Sequence, residues 1–496
     1  MSPAQPHLSN VQSKETSPPN ETKNRMNMKL VTLTEAAMAV GKTAHNIRDY
    51  IQRGRITKYN SQGEKVQHAK NGGLRVDLNE LHAFLRLVDA GQQKHHHAGL
   101  HAELGFYGLP ERERTKHVHR LHPYLGKFIP QLVEWFLARY FKSNDIVLDP
   151  FMGSGTTLVQ ANEMNINSIG IDISEFNCRI ANVKTQKYDV EKVRHEILDA
   201  ERHTQNFSRR LVAPSPQLPL FNEEEFEQFK KSLLEECESD YLKTWFAPRT
   251  LLEMLYYRRL INHGQYEYKD LLRVLLSRAV RSSRLIPHND LATPKAPLPV
   301  GVLYKCAKHD RMCLPIDNCI TKIHAYSEDT ARRIKTFDSL RSDKKITIIQ
   351  GDSRQIDLAK VLKGKKINGI FTSPPYVGQI DYHDQHIYAY ELFGIQRNDQ
   401  LEIGPKAKGK SLKAQKDYID GISAVLRNVA RFLSDDANVF VVANDRFNLY
   451  PEVAKQAGFV IFEEFRRAVT KRTEKGDNPY QETIFQMRKV NPSATK

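Results

Sequence analysis

Short apolar runs alternate with amphipathic segments in two separate stretches of the chain. Between residues 146 and 172, the runs IVL and SIGI each end at an acidic residue, and an amphipathic segment that begins at Thr156 separates them. The same alternation recurs from 345 to 490, in KITII, INGIF, ANVFVV, VIFEEF and QETIF. Apolar runs bounded by Asp, Gly and Pro predict buried strands. We therefore expect an α/β fold with a Rossmann-like, mostly parallel seven-stranded sheet whose final two strands are antiparallel.

The segment from 31 to 56 has a helical pattern instead. Thr32 and Glu35 fit a capping box for a first helix, Gly41 fits its C-terminal turn, and Thr43 fits the cap of a second helix. A polar, Gly-containing segment follows, and LRVDLNELHAFL then predicts a strand that returns into a helix. Two short helices and a returning strand are typical of a small helix-turn-helix domain with a wing.

This segment resembles the winged helix-turn-helix of the MerR and excisionase type. The resemblance implies that the outward residues of the second helix face the DNA major groove and that basic residues of the wing contact the phosphate backbone. The groove-facing residues are Lys42, His45, Asn46 and Arg48, and the wing residues are Lys58, Lys65 and Lys70. A small helical domain that packs on the rest of the chain or on another subunit is the alternative.

Charge narrows the class of partner. Lys and Arg number 74 against 58 Asp and Glu, which gives a formal net charge of +16. Such a balance favours a polyanion, above all nucleic acid. No apolar run reaches the roughly 18 residues that a membrane helix needs, and the polar start of the chain lacks an apolar signal core. We therefore expect a cytoplasmic protein that binds nucleic acid and is not associated with a membrane.

The cysteines predict neither a disulfide framework nor a metal site. The chain has 5 cysteines at uneven spacings, too few for a secreted disulfide scaffold. Cys306, His309, Cys313 and Cys319 lie in one stretch, but their spacing matches no standard zinc pattern. Three consecutive histidines at 95–97 lie in a polar segment without fixed ligand geometry. We predict no metal, with a structural zinc at the cysteine-rich stretch as the alternative.

The loop after the strand at 146–148 predicts a ligand site. Asp149 ends that strand, Gly153 and Gly155 form a tight loop, and Asp172 ends the next strand about 20 residues on. A phosphate-binding loop is excluded, because no Lys follows the last glycine and Asp149 would repel a pyrophosphate. An acid before the glycines suits a cationic amine, and the second acid suits ribose hydroxyls. S-adenosylmethionine carries both groups.

A rigid turn ends the strand INGIF. Ser373, Pro374, Pro375 and Tyr376 follow it directly, and two prolines stiffen the backbone and cannot donate to a sheet. The turn therefore leaves hydrogen-bond acceptors free and fixed in place. A purely structural proline turn is the alternative.

These motifs together resemble the S-adenosylmethionine-dependent amino-methyltransferases that act on DNA bases. The matching segments are HPYLGKFIPQL, DPFMGSGTT, the acid at 172, GDS at 351–353 and TSPPY at 372–376. The resemblance covers roughly residues 120–185 and 345–490. It implies that the cofactor is bound by Lys127, Asp149, Phe151, Gly153, Gly155, Thr156, Thr157, Asp172, Asp352 and Ser353.

The resemblance also implies roles in catalysis. The Ser373 side chain and the Pro374 carbonyl would accept hydrogen bonds from the target amino group, while Pro375 keeps the turn stiff. Tyr376 would stack on a base flipped out of the duplex. Ser in the first position of the turn resembles the N4-cytosine enzymes, whereas Asp or Asn there is usual for N6-adenine enzymes. We expect N4 of cytosine, and N6 of adenine stays open.

The resemblance implies a bacterial or archaeal protein that is associated with the nucleoid. The chain divides into six segments. These are a disordered tail (1–28), the winged helix-turn-helix (29–90), a linker (91–119), the first methyltransferase part (120–185), an insert (186–344) and the second methyltransferase part (345–490). The largely helical insert is the expected target-recognition region. In it Arg278, Arg281 and Arg284 recur every three residues, which predicts either a row along a phosphate backbone or a solvated helix face.

The expected function is sequence-specific methylation of double-stranded DNA, within a restriction-modification system or alone. The chain shows no nuclease motif, so a cognate restriction endonuclease would be a separate polypeptide. One alternative is a transcriptional regulator in which the N-terminal domain carries the main function. Another is methylation of RNA or protein, which the helix-turn-helix and the base-flipping turn disfavour.

Overall fold

The computed structural model describes residues 28–40, 44–52, 56–66, 73–82, 100–106, 109, 111–124, 126, 128–212, 223–288, 296–469 and 480–490. The chain divides into two units, residues 1–99 and residues 100–496. Within the described ranges, no helix is both long and apolar enough to cross a bilayer.

Two strands and two helices make up most of the described part of the first unit. They are β1 (Leu30–Thr32), α1 (Leu33–Ala39), α2 (Ala44–Gln52) and β2 (Arg75–Asp77), and β2 pairs antiparallel with β1. Thr32 caps α1: its hydroxyl accepts from the Glu35 amide, and the Glu35 carboxylate accepts from the Thr32 amide at 2.8 Å. The predicted capping box is confirmed.

The structure places part of the predicted DNA-facing surface. Arg48 and Lys65 are exposed, and Lys58 is partly exposed. Outside the described residues lie Lys42, Lys70 and the side chains of His45 and Asn46. Because residues 41–43, between the two helices, also lie outside them, the helix-turn-helix stays a prediction.

Strands and helices alternate through both ends of the second unit. It begins with α3 (Glu111–Arg114), α4 (Pro130–Tyr140), β3 (Ile146–Asp149), α5 (Thr156–Glu163), β4 (Asn167–Asp172) and α6 (Glu175–Thr185). A largely helical part follows, with α7 (Val190–Val212), α8 (Glu223–Glu235), α9 (Asp240–Trp245), α10 (Pro248–His263), α11 (Lys269–Ser282), β5 (Tyr304–Cys306), β6 (Arg311–Cys313) and α12 (Ile320–Asp338). The remainder is β7 (Ile346–Gln350), α13 (Ala359–Leu362), β8 (Ile367–Thr372), α14 (Ile387–Phe393), α15 (Leu412–Ala430), β9 (Leu433–Ala443), α16 (Tyr450–Ala457), β10 (Phe459–Val469) and β11 (Tyr480–Lys489).

The central sheet has seven strands in the order β10-β11-β9-β8-β3-β4-β7. β3 pairs in parallel with both β4 and β8, and β7 and β9 extend the parallel sheet on either side. β11 lies between β9 and β10 and is antiparallel to both. The predicted α/β fold with a mostly parallel seven-stranded sheet is confirmed, with one correction. β11 is reversed, but β10 runs in the same direction as β9.

The two faces of the sheet have separate apolar layers. Along β9, Phe440 packs with α4 on one face, whereas Val439 and Val441 pack with α15 and α16 on the other. This alternation follows from the two-residue period of a strand. On the α4 face, the Phe136 ring centroid lies 5.4 Å from that of Phe371, 4.8 Å from that of Phe440 and 5.2 Å from that of Phe465. Phe136 is thus the centre of an aromatic cluster between helix and sheet.

The helical part packs on the sheet domain through α6. Helices α7, α10, α11 and α12 contact one another, and α11 also contacts α6 and α14. Its apolar core includes Ile197, Leu255, Leu275 and Ile323, all buried. The insert between the motifs is therefore a packed helical layer continuous with the fold.

The arginine row of α11 faces this core. Arg278 is 8% exposed, forms an ion pair with Asp329 at 2.9 Å and lies over the Tyr326 ring. Arg284 is 3% exposed, and Arg281 is partly buried. The prediction that these three arginines line a phosphate backbone was wrong. Spacing of three residues places Arg278 and Arg281 on one face of α11, whereas Arg284 follows two residues after its end. Tertiary packing turned this face inward.

The aromatic cluster under α4 generates a stability prediction. Phe136→Ala should lower the free energy of unfolding by about 3 to 5 kcal/mol, because it leaves a cavity between α4 and the sheet. Phe462→Ala is the matched control, since Phe462 is 59% exposed on the edge strand, and it should cost less than about 1 kcal/mol. Denaturant unfolding followed by circular dichroism measures both. Equal losses for the two variants would contradict the assigned packing.

Candidate active site

A cleft lies at the carboxyl ends of β3, β4 and β8. It encloses about 890 Å³, including the open solvent within it, and its lining includes Asp149, Asp172, Asp352, Ser373 and Pro375. Parallel pairing explains this convergence, because the carboxyl ends of neighbouring parallel strands meet at one edge of the sheet. Further predicted residues that line the cleft are Phe151, Gly153, Thr156 and Ser353.

Asp149 is buried, and three donors hold its carboxylate. Oδ2 accepts from the Thr157 hydroxyl at 2.7 Å, and Oδ1 accepts from the Thr372 hydroxyl at 2.6 Å and from the Phe151 amide at 3.2 Å. The pKa of Asp149 is raised to about 6, because the effect of burial exceeds the opposite effect of these hydrogen bonds. A carboxylate has about four acceptor positions, so the group keeps one free position beside the cleft.

Thr157 lies away from the cleft that we predicted it to line. It is fully buried and does not line the cleft, and its hydroxyl bonds Asp149 instead of facing a ligand. The direct cofactor contact predicted for Thr157 is therefore corrected to a positioning role. Thr372 has the same role and was missed, because only the pairing of β3 with β8 brings its hydroxyl within hydrogen-bond distance of Asp149.

Asp172 is held in a similar way. Its Oδ2 accepts from the Gly153 amide at 3.0 Å, and its Oδ1 accepts from the Ser174 amide at 2.8 Å and from the Asn177 side chain at 3.1 Å. The pKa of Asp172 is raised to about 6, because burial raises it by more than these hydrogen bonds lower it. Asp172 therefore also keeps one acceptor position for a ligand. Asn177 lines the cleft and carried no signal in the sequence.

The two loop glycines are required for different reasons. Gly153 has φ +49°, and a Cβ there would lie 3.0 Å from the Tyr124 ring that lines the cleft. Gly155 has φ +78°, and a Cβ there would lie 2.9 Å from the Ala181 Cβ. Both backbone conformations favour glycine. Gly153 thus shapes the cleft, whereas Gly155, which does not line it, lets the loop pack on α6.

Asp352 forms an ion pair with Arg354. The guanidinium donates to both carboxylate oxygens, with Nη2 to Oδ2 at 2.6 Å and Nε to Oδ1 at 2.8 Å, and the Arg354 amide donates to Oδ1 at 2.9 Å. Burial alone would raise the pKa of Asp352, but the bonds from Arg354 outweigh it and lower the pKa. Asp352, which lines the cleft, keeps one acceptor position beside these three bonds, and the contact with an adenine amino group stays a prediction. Ser353 is buried, and its hydroxyl bonds the Pro150 carbonyl at 2.6 Å.

The turn after β8 borders the cleft. Ser373 and Pro375 line it, and Pro374 is buried behind them. The Tyr376 hydroxyl donates to Glu482 Oε1 at 3.2 Å, and Glu482 in turn pairs with Arg467 at 2.9 Å. These contacts tie the turn to the far strands β10 and β11. The turn is therefore fixed at both of its ends.

Further side chains at the cleft were not predicted. Tyr124, Tyr382, His383 and Glu402 line it, and His383 Nδ1 forms a short contact with Glu402. Burial raises the pKa of Tyr124 well above its ordinary value. His383 and Glu402 lie 19 positions apart in an irregular segment, so no spacing could indicate their pairing. Lys127, predicted to bind the cofactor, lies outside the described residues.

The chain is similar in sequence to known DNA methyltransferases. A family model described as DNA methylase matches residues 42–183. Type II methyltransferase M.MjaII of Methanocaldococcus jannaschii is 42% identical, over 93% of this chain and 97% of that protein. Orphan methyltransferase M.BamHII of Bacillus amyloliquefaciens is 33% identical, over 21% of this chain and 41% of that protein. Among solved structures, TrmN from Thermus thermophilus aligns at 11% identity and a TM-score of 0.30, over 77% of this chain and 55% of that one.

The buried charge of Asp149 generates a pH prediction. Its pKa in the folded protein, about 6, exceeds its ordinary value of 3.8, so the folded state holds the proton more tightly and stability falls as pH rises through 6. Asp149→Asn does not titrate. Between about pH 5 and about pH 8, the stability of Asp149→Asn relative to the parent chain should rise by about 1 to 1.5 kcal/mol.

Thermal or denaturant unfolding at matched pH values measures this difference. The control is Asp420→Asn, which removes a carboxyl group that is exposed on α15. A pH-independent difference for Asp149→Asn would show that the folded carboxylate titrates as it does in the unfolded chain.

Proposed function

The chain belongs to the DNA methylase family that includes the type II methyltransferases, and on that premise we propose that it methylates the exocyclic amino group of a base flipped out of duplex DNA. The proposed target is N4 of cytosine and the proposed methyl donor is S-adenosylmethionine. One observation carries the proposal: Asp149 and Asp172 line the same cleft as Ser373 and Pro375 of the turn after β8. A regulator with an inactive enzyme body has no need for this convergence.

The donor and acceptor set of the cleft suits the cofactor. The free acceptor position of Asp149 suits the methionyl amine, and that of Asp172 suits a ribose hydroxyl. Two carboxylates in an enclosed cleft favour a cation and disfavour a phosphate. The cofactor, when bound, supplies an electrophilic methyl group on a sulfonium. The raised pKa values of both carboxyl groups show that their ionised forms are destabilised by burial. A cationic ligand would stabilise these ionised forms.

The turn supplies the other half of the reaction. An exocyclic amine conjugated with its ring is a poor nucleophile. The Ser373 hydroxyl and the Pro374 carbonyl accept its hydrogen bonds, so that its lone pair is directed toward the methyl group. Because Pro375 restricts the backbone, these acceptors are preorganised and do not reorganise during the reaction.

We assign stacking on the flipped base to Tyr376. Its hydroxyl bonds Glu482, which is itself paired with Arg467, and this chain of contacts restricts the ring. Stacking on a rigid aromatic ring offsets part of the few kcal/mol that unstacking a base costs. The ring is thus the proposed platform for the base.

The finer assignments rest on single residues. A neutral serine at 373 favours N4 of cytosine, and N6 of adenine is the second candidate. A restriction-modification role with a separate endonuclease is proposed because this chain resembles a type II methyltransferase along nearly its whole length. The first unit, with Arg48 and Lys65 exposed, is proposed as a winged helix-turn-helix that contacts double-stranded DNA.

The turn gives the direct test of methyl transfer. Ser373→Ala and Tyr376→Ala should each lower kcat by about 10² to 10³-fold, with the affinity for S-adenosylmethionine changed less than about threefold, because neither substitution alters the two carboxylates. Tyr376→Phe keeps the ring and should retain most of the activity. Lys360→Ala, at an exposed position on α13, is the control. Measurements are kinetics on duplex DNA and base-modification sequencing of a methylation-deficient host that expresses each variant.

Each outcome of that experiment has a meaning. N4-methylcytosine at one sequence, absent with Ser373→Ala, supports the whole proposal. N6-methyladenine keeps the mechanism and overturns the base. A fully active Ser373→Ala variant, or a parent chain that modifies no base, contradicts the proposed role of the turn.

The first unit gives a separate test. Removal of residues 1–92 should leave the affinity for S-adenosylmethionine unchanged, because the cleft lies wholly in the second unit. It should weaken DNA binding and reduce the salt dependence of that binding by about one unit of slope per lost phosphate contact. Arg48→Glu in the full chain should reproduce part of the loss. Fluorescence anisotropy at several salt concentrations measures both, and an unchanged slope would show that this unit does not contact DNA.

A further inference from the structure

Four potential metal ligands converge at the hairpin of β5 and β6. They are His288, Cys306, His309 and Cys313, and one ligand atom from each lies within 4.8 Å of every other. We call them the Cys-His cluster. Cys306 ends β5, Cys313 ends β6, His309 lies in the turn between them, and His288 follows α11. The cluster belongs to the helical part of the second unit, and none of its members lines the cleft.

The spacing of the ligand atoms matches a tetrahedral site. Cys306 Sγ lies 3.6 Å from Nδ1 of His288 and 3.6 Å from Nδ1 of His309, and Cys313 Sγ lies 3.5 Å from Nδ1 of His309. A tetrahedral zinc ion with bonds of about 2.3 Å to sulfur and about 2.0 Å to nitrogen has sulfur-to-nitrogen edges of roughly 3.5 Å. The ligands are therefore already arranged around one central point.

Hydrogen bonds alone account poorly for this arrangement. Cys306 Sγ contacts two different imidazole nitrogens, which as hydrogen bonds would require it to donate to one ring and to accept weakly from the other. The same Nδ1 of His309 contacts both sulfurs, although it has one lone pair or one proton. A cation at the centre satisfies all four ligands at once, and two thiolates with two imidazoles are a ligand set that zinc prefers.

The hairpin has few buried apolar side chains among its described residues. β5 and β6 have three residues each, and an isolated two-stranded hairpin is marginal in water. Its apolar residues point outward: Leu303, Met312 and Leu314 are all more than half exposed. The side chains that are buried are the two cysteines. Burial of ligands in place of a hydrophobic core is typical of small metal-stabilised modules.

We propose that the Cys-His cluster binds one structural Zn²⁺ ion, which fixes the β5-β6 hairpin. This corrects the ligand set considered from the sequence in two ways. Cys319 is not a member: it is fully buried at the start of α12, where its amide donates to Glu253. His288, 18 residues before Cys306, is a member and was missed, because a ligand so far away in sequence leaves no recognisable spacing.

Metal content of the full chain tests the proposal. The protein is produced in zinc-supplemented medium, purified under reducing conditions and analysed by plasma mass spectrometry. We expect one zinc ion per chain in the parent protein, and none in Cys306→Ser or Cys313→Ser. The matched control is Cys319→Ser, which removes a nearby buried thiol outside the cluster and should retain the metal. His309→Asn covers the case in which the cysteine variants fail to fold, because His309 is exposed, and it should lose most of the metal.

Two further measurements need no substitution. Cobalt added to the metal-free protein should give the thiolate charge-transfer band and visible bands of a tetrahedral site. Zinc should slow trypsin cleavage in the hairpin, where Lys305, Lys308 and Arg311 are exposed. A parent chain that takes up neither zinc nor cobalt overturns the proposal, as does loss of metal in Cys319→Ser with retention in Cys306→Ser. Since metal content is measured without DNA or S-adenosylmethionine, the result is independent of the proposed methyl transfer.

Discussion

The parallel pairing of β3 with β4 and β8 is the constraint on which the site depends. It brings the acids that end β3 and β4 to the same sheet edge as the rigid turn after β8. Burying two carboxylates there is unfavourable, and hydroxyl and amide donors from three elements offset part of that cost. The remaining cost appears as raised pKa values. With its two carboxylates held in place, the cleft is preorganised to bind a cationic ligand.

Much of the surrounding fold holds these groups in place. The loop glycines permit two left-handed turns that aim an amide at Asp172 and let the loop pack on α6. The contact of Tyr376 with Glu482 links the turn to β11, the reversed strand. The aromatic cluster around Phe136 fixes α4 against the sheet. Substitutions far from the cleft can therefore disturb it through strand position alone.

The helical part shows how a charged residue row can be misjudged. Spacing of three residues places arginines on one helix face, but it does not say whether that face meets solvent or protein. In α11 the face meets α12, where Asp329 and the Tyr326 ring accompany Arg278. A buried arginine requires such partners, and they come from elements more than 40 residues away along the chain. The Cys-His cluster likewise depends on a residue that is remote in sequence, because His288 lies 18 residues before Cys306.

The sequence by itself determined the seven-stranded sheet, the acids at two strand ends, the glycine loop and the proline turn. Each is a local feature, fixed by apolar periodicity or by backbone restriction within a few residues. Tertiary structure decided which strand is reversed, that Thr157 and Thr372 bind Asp149 instead of a ligand, that Arg354 pairs with Asp352, and which of the cysteines share a site. These depend on which elements pack together, and contacts between residues distant in sequence leave no periodic trace in a single chain.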